Sequence, residues 1–281
     1  MPLRMRKFGF ELEFSGSRIA LTRSDLFSDL REAARQQGHT ASETENSQHW
    51  TLKTDHCGYE FTSPALQATE NNFQKAWDII RKLQITCHEN RQIDMPAHQN
   101  VCHPSCGLHV HLEIGDLNES QIANMINIFR TFEDSLLAIH PPSRRNNSFV
   151  RLLSSRRSTN WDFRALRDHN LAVNFGRYSR TSARRQTIEI RYAGATIRPR
   201  KVINWIQILI CMVEASKRVI NFPYIPNRTF EDFKSFIRNS ETETWLDARR
   251  PILTRWMDRR INQLSVYHEA RETRRELRNI A

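Results

Sequence analysis

The stretch Phe8-Gly-Phe-Glu-Leu-Glu-Phe14 sets Phe8, Phe10, Leu12 and Phe14 against Glu11 and Glu13 at alternate positions. Period two is the geometry of a β-strand, in which successive side chains point to opposite faces of a sheet. A strand over residues 6–15 therefore buries one apolar side and carries two carboxylates on the other. Two further stretches repeat the device. Gly107-Leu-His-Val-His-Leu112 sets His109 and His111 against Leu108, Val110 and Leu112, and Ile188-Glu-Ile-Arg-Tyr192 sets Glu189 and Arg191 against Ile188, Ile190 and Tyr192. One sheet with an apolar face under helices and a polar face of acids, imidazoles and an arginine accounts for all three. Five metal-capable side chains and a guanidinium then share a surface, which makes that surface the candidate active site.

Around this nucleus the periodicity changes to 3.6. Ser24 is a candidate N-cap for a helix with Leu26, Phe27 and Leu30 on its apolar face, ended by Gly38. Residues 39–48 read as a loop, and strands are expected near 49–53 and 57–63, with the turn chemistry of Asp55-His-Cys-Gly58 between them and Pro64 as a stop. Phe73, Trp77, Ile80 and Leu83 mark a helix over 69–90; residues 90–105 form a loop, and Asn118 caps a helix over 119–139 that ends before Pro141-Pro142. Leu171-Ala-Val-Asn-Phe175 reads as a strand beside 186–193, and an apolar helix follows Pro199 to about Asn221. Residues 228–281 read as helical and charged. The pattern is α+β, with a mostly antiparallel sheet, a main domain over 1–225 and a helical C-terminal extension over 226–281 packed on it.

At 281 residues and 39% hydrophobic content the chain can bury a sizeable core, which excludes a disordered polyelectrolyte. No run reaches the roughly 18 apolar residues of a membrane span. Met1-Pro-Leu-Arg-Met-Arg-Lys7 leads into the first strand without a signal-peptide core, so a cytoplasmic protein with no membrane partner is expected. Cys57, Cys87, Cys102, Cys106 and Cys211 are odd in number and sparse, which favours reduced thiols over a disulfide framework. The net charge of +11, with paired arginines such as Arg144-Arg145 and Arg184-Arg185, attracts polyanions: nucleotides, nucleic acid or an acidic peptide.

Two carboxylates at i and i+2 on one strand face repel unless a cation neutralises them. Hard divalent ions do this well, and magnesium shares its coordination sphere with substrate phosphates, so Glu11, Glu13, Glu60 and Glu189 with one histidine suit a nucleotide–metal site. A rival zinc reading draws on Cys102, Cys106, His109 and His103, but these lack the paired spacing of a structural zinc centre. No cysteine stands in a nucleophile elbow, which leaves a Cys/His hydrolase unsupported.

Five segments in order, Gly9-Phe-Glu-Leu-Glu13, Trp50 through Asp55 with Gly58-Tyr-Glu-Phe-Thr-Ser-Pro64, Gly107-Leu-His-Val-His111, Asn174 with Arg177, and Thr187-Ile-Glu-Ile-Arg-Tyr-Ala-Gly-Ala-Thr196, resemble the amidoligase branch of the glutamine synthetase and glutamate-cysteine ligase superfamily of ATP-dependent carboxylate–amine ligases. The resemblance implies a glutamine synthetase-like catalytic sheet, curved, with ATP and Mg2+ (Mn2+ as an alternative) on its concave face and helices on its convex face. It implies metal ligation by Glu11, Glu13, Glu60, His109 and Glu189. Phosphate or nucleotide contacts are implied for His111, Arg185 and Arg191, and catalytic charge stabilisation for Arg177, Arg180 and Arg191. It further implies a carboxylate and an amine substrate (amino acid, polyamine or peptide) joined through an acyl phosphate. His56 and Cys57 depart from the family's turn after Asp55, whose role the resemblance therefore leaves open. The alternatives are a guanidino phosphotransferase on the same sheet, and an altered member that binds nucleic acid or acts as a scaffold, with a polyanionic acceptor as partner.

Overall fold

The computed structural model describes residues 6–15, 22–44, 48–55, 58–90, 102, 105–140, 144, 150–154, 166–179, 182 and 186–238. Strand β1 (Lys7–Phe14) lies at the centre of a sheet built from β2 (Ala41–Ser42), β3 (Trp50–Asp55), β4 (Gly58–Thr62), β5 (Leu66–Gln67), β6 (Gly107–Glu113), β7 (Val173–Asn174) and β8 (Thr187–Gly194). Their order is β2-β3-β4-β1-β6-β8-β7, with β5 paired to β1. Every named pairing is antiparallel except β2 with β3. The fold is α+β with an open sheet, as the alternation implied. Strand β4 opens at Gly58 with φ +126°, a conformation that residues with a Cβ rarely adopt.

The apolar side of β1 is fully packed: Phe8, Phe10, Leu12 and Phe14 are buried. Phe8 stacks on Phe73 at 5.0 Å between ring centroids, while Phe10 meets Trp50 edge-on and Trp50 stacks on Phe61 at 5.2 Å. Each such aromatic contributes about 1.5–3 kcal/mol by leaving water. The facing layer is helical: α1 (Arg23–Gln36), α2 (Glu70–Glu89), α3 (Glu119–Thr131), α4 (Glu133–Ala138), α5 (Pro199–Ala215) and α6 (Phe230–Arg238). Helix α5, almost wholly buried and opened by Pro199 at its start, packs against α2, α3 and β6.

Local chemistry sets the helix ends. The N-cap of α1 is Thr22 rather than Ser24, because Thr22 and Asp25 close a reciprocal capping box that Ser24 and Phe27 cannot form. Asn118 and Gln121 do the same for α3. The single helix expected over 119–139 is two, interrupted at Phe132 (φ −104°, ψ 15°). Helix α6 lays Phe233 and Phe236 on Phe132 at 5.4 and 5.0 Å. The rest of the expected extension, 239–281, lies outside the described residues, as do Cys57, His103, Arg180 and Arg185. The four described cysteines are free thiols.

A buried ion network ties the sheet to the helices. Arg6, 4% exposed, binds Glu214 at the end of α5, Asp116 after β6 and the carbonyl of Glu113, and Lys217 reaches Asp116 and Glu214 at 2.5 and 3.0 Å. Among the described residues, no helix is long and apolar enough to cross a membrane.

Candidate active site

Register places the polar residues in three parallel rows on one face, since directly opposed residues in an antiparallel pair share a side. The first row is Lys53–Glu60–Glu13, the second Thr62–Glu11–His109, and the third Gly9–His111–Glu189–Asn174. The rows step by two residues, so β1 and β6 contribute to consecutive rows through Glu13 and Glu11, and through His109 and His111. A β-bulge gives β8 one extra residue opposite His109: Leu108 pairs Ala193 but Val110 pairs Ile190. Arg191 thus stays on the polar side beside Glu189 and donates to its carboxylate, while Ala193 returns to the apolar side.

Donor atoms converge in two groups. Those of Glu11, His111 and Glu189 lie within 4.8 Å of one another, as do those of Glu13, Asp55 and Glu60. His109 stands between them, with Nδ1 3.4 Å from Glu11 and 3.5 Å from Glu189, and Nε2 3.6 Å from Glu13. His111 Nε2 lies 3.0 Å from Glu11 Oε1 at ion-pair distance without hydrogen-bond geometry, and neither of its ring nitrogens has a hydrogen-bond partner among the described residues. All five expected ligands, with His111 and Arg191, are therefore brought together. Arg177 is peripheral: its side chain is 60% exposed and 3.9 Å from Glu11. The alternation suggested an open surface; instead Glu13, Glu60, His109, Glu189 and Arg191 are buried, which strengthens every charge interaction among them.

The acids are not equivalent. Burial raises the Glu11 carboxyl, but the His109 hydrogen bond and the adjacent His109 and His111 imidazoles overcome it and hold Glu11 well below the usual carboxylate range. Glu189 is likewise pulled down against burial, chiefly by the Arg191 guanidinium. Glu60 goes the other way: burial and the Glu11 charge push it up, with Lys53 only partly offsetting them.

Close supports fix this arrangement. Gly107 N–H donates to Glu13 at 2.5 Å, and a Cβ on Gly107 would overlap the His109 ring, so glycine is required for that approach. Asn174 Nδ2 donates to Glu189 at 2.9 Å, and its Oδ1 accepts from Gly176. Thr62 donates to Glu60 at 3.1 Å. Buried Arg144 donates to the Cys106 carbonyl at the start of β6. Behind the bulge, Tyr192 donates to Glu133 at 2.7 Å, and Glu133 also accepts from Leu153 and Ser154 N–H.

Asp55 is the donor that pattern reading left without a role. Its alternation with Lys53 and its place opposite Gly58 put it on the polar face, a signal visible only once the hairpin register is known. The zinc reading gains nothing, because neither donor group among the described residues contains a cysteine.

An open, mostly antiparallel sheet thus presents two carboxylate-rich donor groups around paired histidines on one face. Residues 4–213 match the family model described as "Putative amidoligase enzyme", and the chain belongs to this family. A search of curated proteins finds no match to it. Among solved structures it is similar to a novel glutamine synthase homolog (15% identity, TM-score 0.43, 96% of this chain and 67% of the other). It is also similar to the Pup ligase PafA in complex with the prokaryotic ubiquitin-like protein Pup (12% identity, TM-score 0.42, 84% and 52%). A third is a bifunctional glutathione synthetase from Pasteurella multocida (14% identity, TM-score 0.43, 93% and 47%). The chain spans about half the length of the last two.

Proposed function

We infer that this chain is an ATP-dependent carboxylate–amine ligase, using Mg2+ or Mn2+, that forms an amide or peptide bond by way of an acyl phosphate on the carboxylate substrate. The observation that carries the reading is the pairing of two separate oxygen-rich donor groups on one sheet face. The donor set fits hard divalent ions: carboxylate oxygens with one imidazole and no thiolate, that imidazole being His111, whose ring nitrogens lack hydrogen-bond partners among the described residues. Bound there, the ions would neutralise nucleotide phosphates and ATP would supply the phosphoryl group that activates the carboxylate.

The chain's own residues then divide the work. Glu11, Glu189 and His111 would hold one ion, and Glu13, Glu60 and Asp55 the other, with His109 placed to serve either. Arg191, fixed on Glu189, offsets charge that develops on a transferred phosphoryl group, an electrostatic and positioning task. Arg177 is exposed and able to swing onto an incoming anion; Arg180, in charge stabilisation, and Arg185, as a nucleotide contact, keep the roles that the family resemblance implies. Burial of Glu13, Glu60, His109 and Glu189 limits water around the donor atoms, which would protect an acyl phosphate from hydrolysis. The +11 charge favours an acidic peptide or another polyanion as one substrate, and a cytoplasmic location suits an ATP-consuming enzyme.

The test is ATP turnover by the full chain with Mg2+ and pools of amino acids, polyamines and acidic peptides, with products read by mass spectrometry. ADP, phosphate and a condensed product are expected, falling by about 10²-fold or more in Glu11→Gln and Glu189→Gln, which lose transition-state charge stabilisation. Formation of AMP, or full activity without a divalent ion, refutes the mechanism. A stable phosphorylated guanidino product without condensation would select phosphotransfer instead.

A further inference from the structure

Lys53 belongs to the polar face and had no part in the expected site. It is the direct cross-strand partner of Glu60, and its Nζ lies 2.9 Å from Glu60 Oε1. That oxygen also accepts the Thr62 hydroxyl, so it is already doubly engaged. The Glu60 side chain is 9% exposed, whereas that of Lys53 is 35% exposed. The ammonium thus enters the Glu13–Asp55–Glu60 group from the solvent side on a flexible stem.

The other donor group contains a cation of a different kind. Arg191, 6% exposed, is held on Glu189 within the bulged part of β8, with His109 3.3 Å from its Nη1. A buried guanidinium in that position cannot leave without unpacking β8. A lysine whose side chain is 35% exposed can swing away by rotating about its side-chain bonds.

The geometry points to Lys53 as a retractable counter-ion of the Glu13–Asp55–Glu60 group, which must withdraw from Glu60 before a divalent ion takes that group's oxygens. This rests on the reading of both donor groups as cation sites. A divalent ion on Glu60 Oε1 at about 2.1 Å, with Lys53 Nζ still 2.9 Å from the same atom, would put the two cations within about 5 Å. Their repulsion, added to the loss of the ion pair, opposes binding at this group for as long as the ammonium stays. Loading of Glu13–Asp55–Glu60 is therefore coupled to release of the Lys53 ammonium toward solvent, whereas the fixed Arg191 leaves Glu11–His111–Glu189 with no such step.

The probe is Mn2+ alone, titrated into the full chain at low ionic strength and followed by electron paramagnetic resonance. Two classes of site are expected. Glu60→Gln should remove one class and Glu11→Gln the other. In Lys53→Met the Glu60-dependent class should tighten about tenfold while the Glu11-dependent class is unchanged; Lys53→Arg should restore the wild-type affinities. A Lys53→Met protein whose Glu60-dependent class is unchanged or loosened, with the Glu11-dependent class intact, overturns the counter-ion role alone. Absence of bound Mn2+ in the wild type, or indifference to Glu11→Gln, overturns the cation-site reading and this inference with it. A second measurement needs no variant: the acetylation rate of Lys53 in the native chain, mapped by mass spectrometry, should rise severalfold when Mn2+ saturates both classes. A rate that stays the same or falls refutes the withdrawal.

Discussion

Adding one methyl group at Gly107 tests how tightly the site is built. A Cβ placed there lies 3.0 Å from His109 Cδ2, overlaps Nε2 outright, and meets Arg144 Nη2 at 3.4 Å. Carbon pairs settle at about 3.5–4.0 Å, so the imidazole must retreat by at least about half an ångström. It has little room to do so. His109 is 4% exposed and lies 3.3–3.6 Å from Arg191, Glu11, Glu189 and Glu13, so any retreat perturbs several charge contacts together. Overpacking of this kind costs about 1–3 kcal/mol, and misplacing a site group by about 1 Å can cost 10²-fold in rate. Gly107→Ala should therefore lower the urea midpoint by the equivalent of about 1–3 kcal/mol and weaken Mn2+ binding, with secondary structure retained by circular dichroism. Wild-type stability together with wild-type Mn2+ affinity would refute the claim that the glycine exists to seat the ring.

Glu133→Gln should destabilise the fold by about 1–3 kcal/mol for each buried donor left unsatisfied among Leu153 N–H, Ser154 N–H and the Tyr192 hydroxyl, whereas Tyr192→Phe should cost only about 1 kcal/mol; urea denaturation of both variants checks the order. Asp116 supplies a pH test. Burial raises its carboxyl, but Arg6 and Lys217 outweigh it and hold the group below its ordinary value, so its contribution to stability is fully present above that value, near 4, and is lost as pH falls through the lowered one. Thermal midpoints across pH 2 to 6 should show a loss at the acid end that is smaller in Asp116→Asn, and an identical acid limb in both proteins would remove Asp116 from the account.

The strands that carry the chemistry were legible because each has one face in the core. Phe8, Phe10, Leu12 and Phe14 enforce period two on β1, and a one-residue slip would bury Glu11 among aromatics. Order across the sheet was not legible: no local pattern states that β1 lies between β4 and β6, so the three rows appear only with the register. Strands β2, β5 and β7 have two residues each, too few to show a period, and the expected loop over 39–48 and strand over 171–175 reflect that. The break at Phe132 escaped because Ile128, Phe129, Leu136 and Leu137 continue an apolar pattern on both sides of it. At the site, the carboxylate and imidazole set could be read from alternation. Asp55, Lys53 and Asn174 could not, since their roles come from hairpin pairing and from a two-residue strand. The bulge is a local change of parity that restores Ala193 to the core, and nothing in Tyr192-Ala-Gly194 announces it.

The sheet's outermost strands, Ala41–Ser42 at one margin and Val173–Asn174 at the other, have consequences beyond architecture. A free sheet margin is a template on which any extended polypeptide can add itself, and long flat margins invite self-association. Among the described residues each outermost strand is two residues long, and one of the four residues, Asn174, has its side chain committed to Glu189. An extended peptide adding to either strand would gain a short ladder, so its side chains and termini would have to supply most of its recognition, and the same shortness disfavours self-association through these strands.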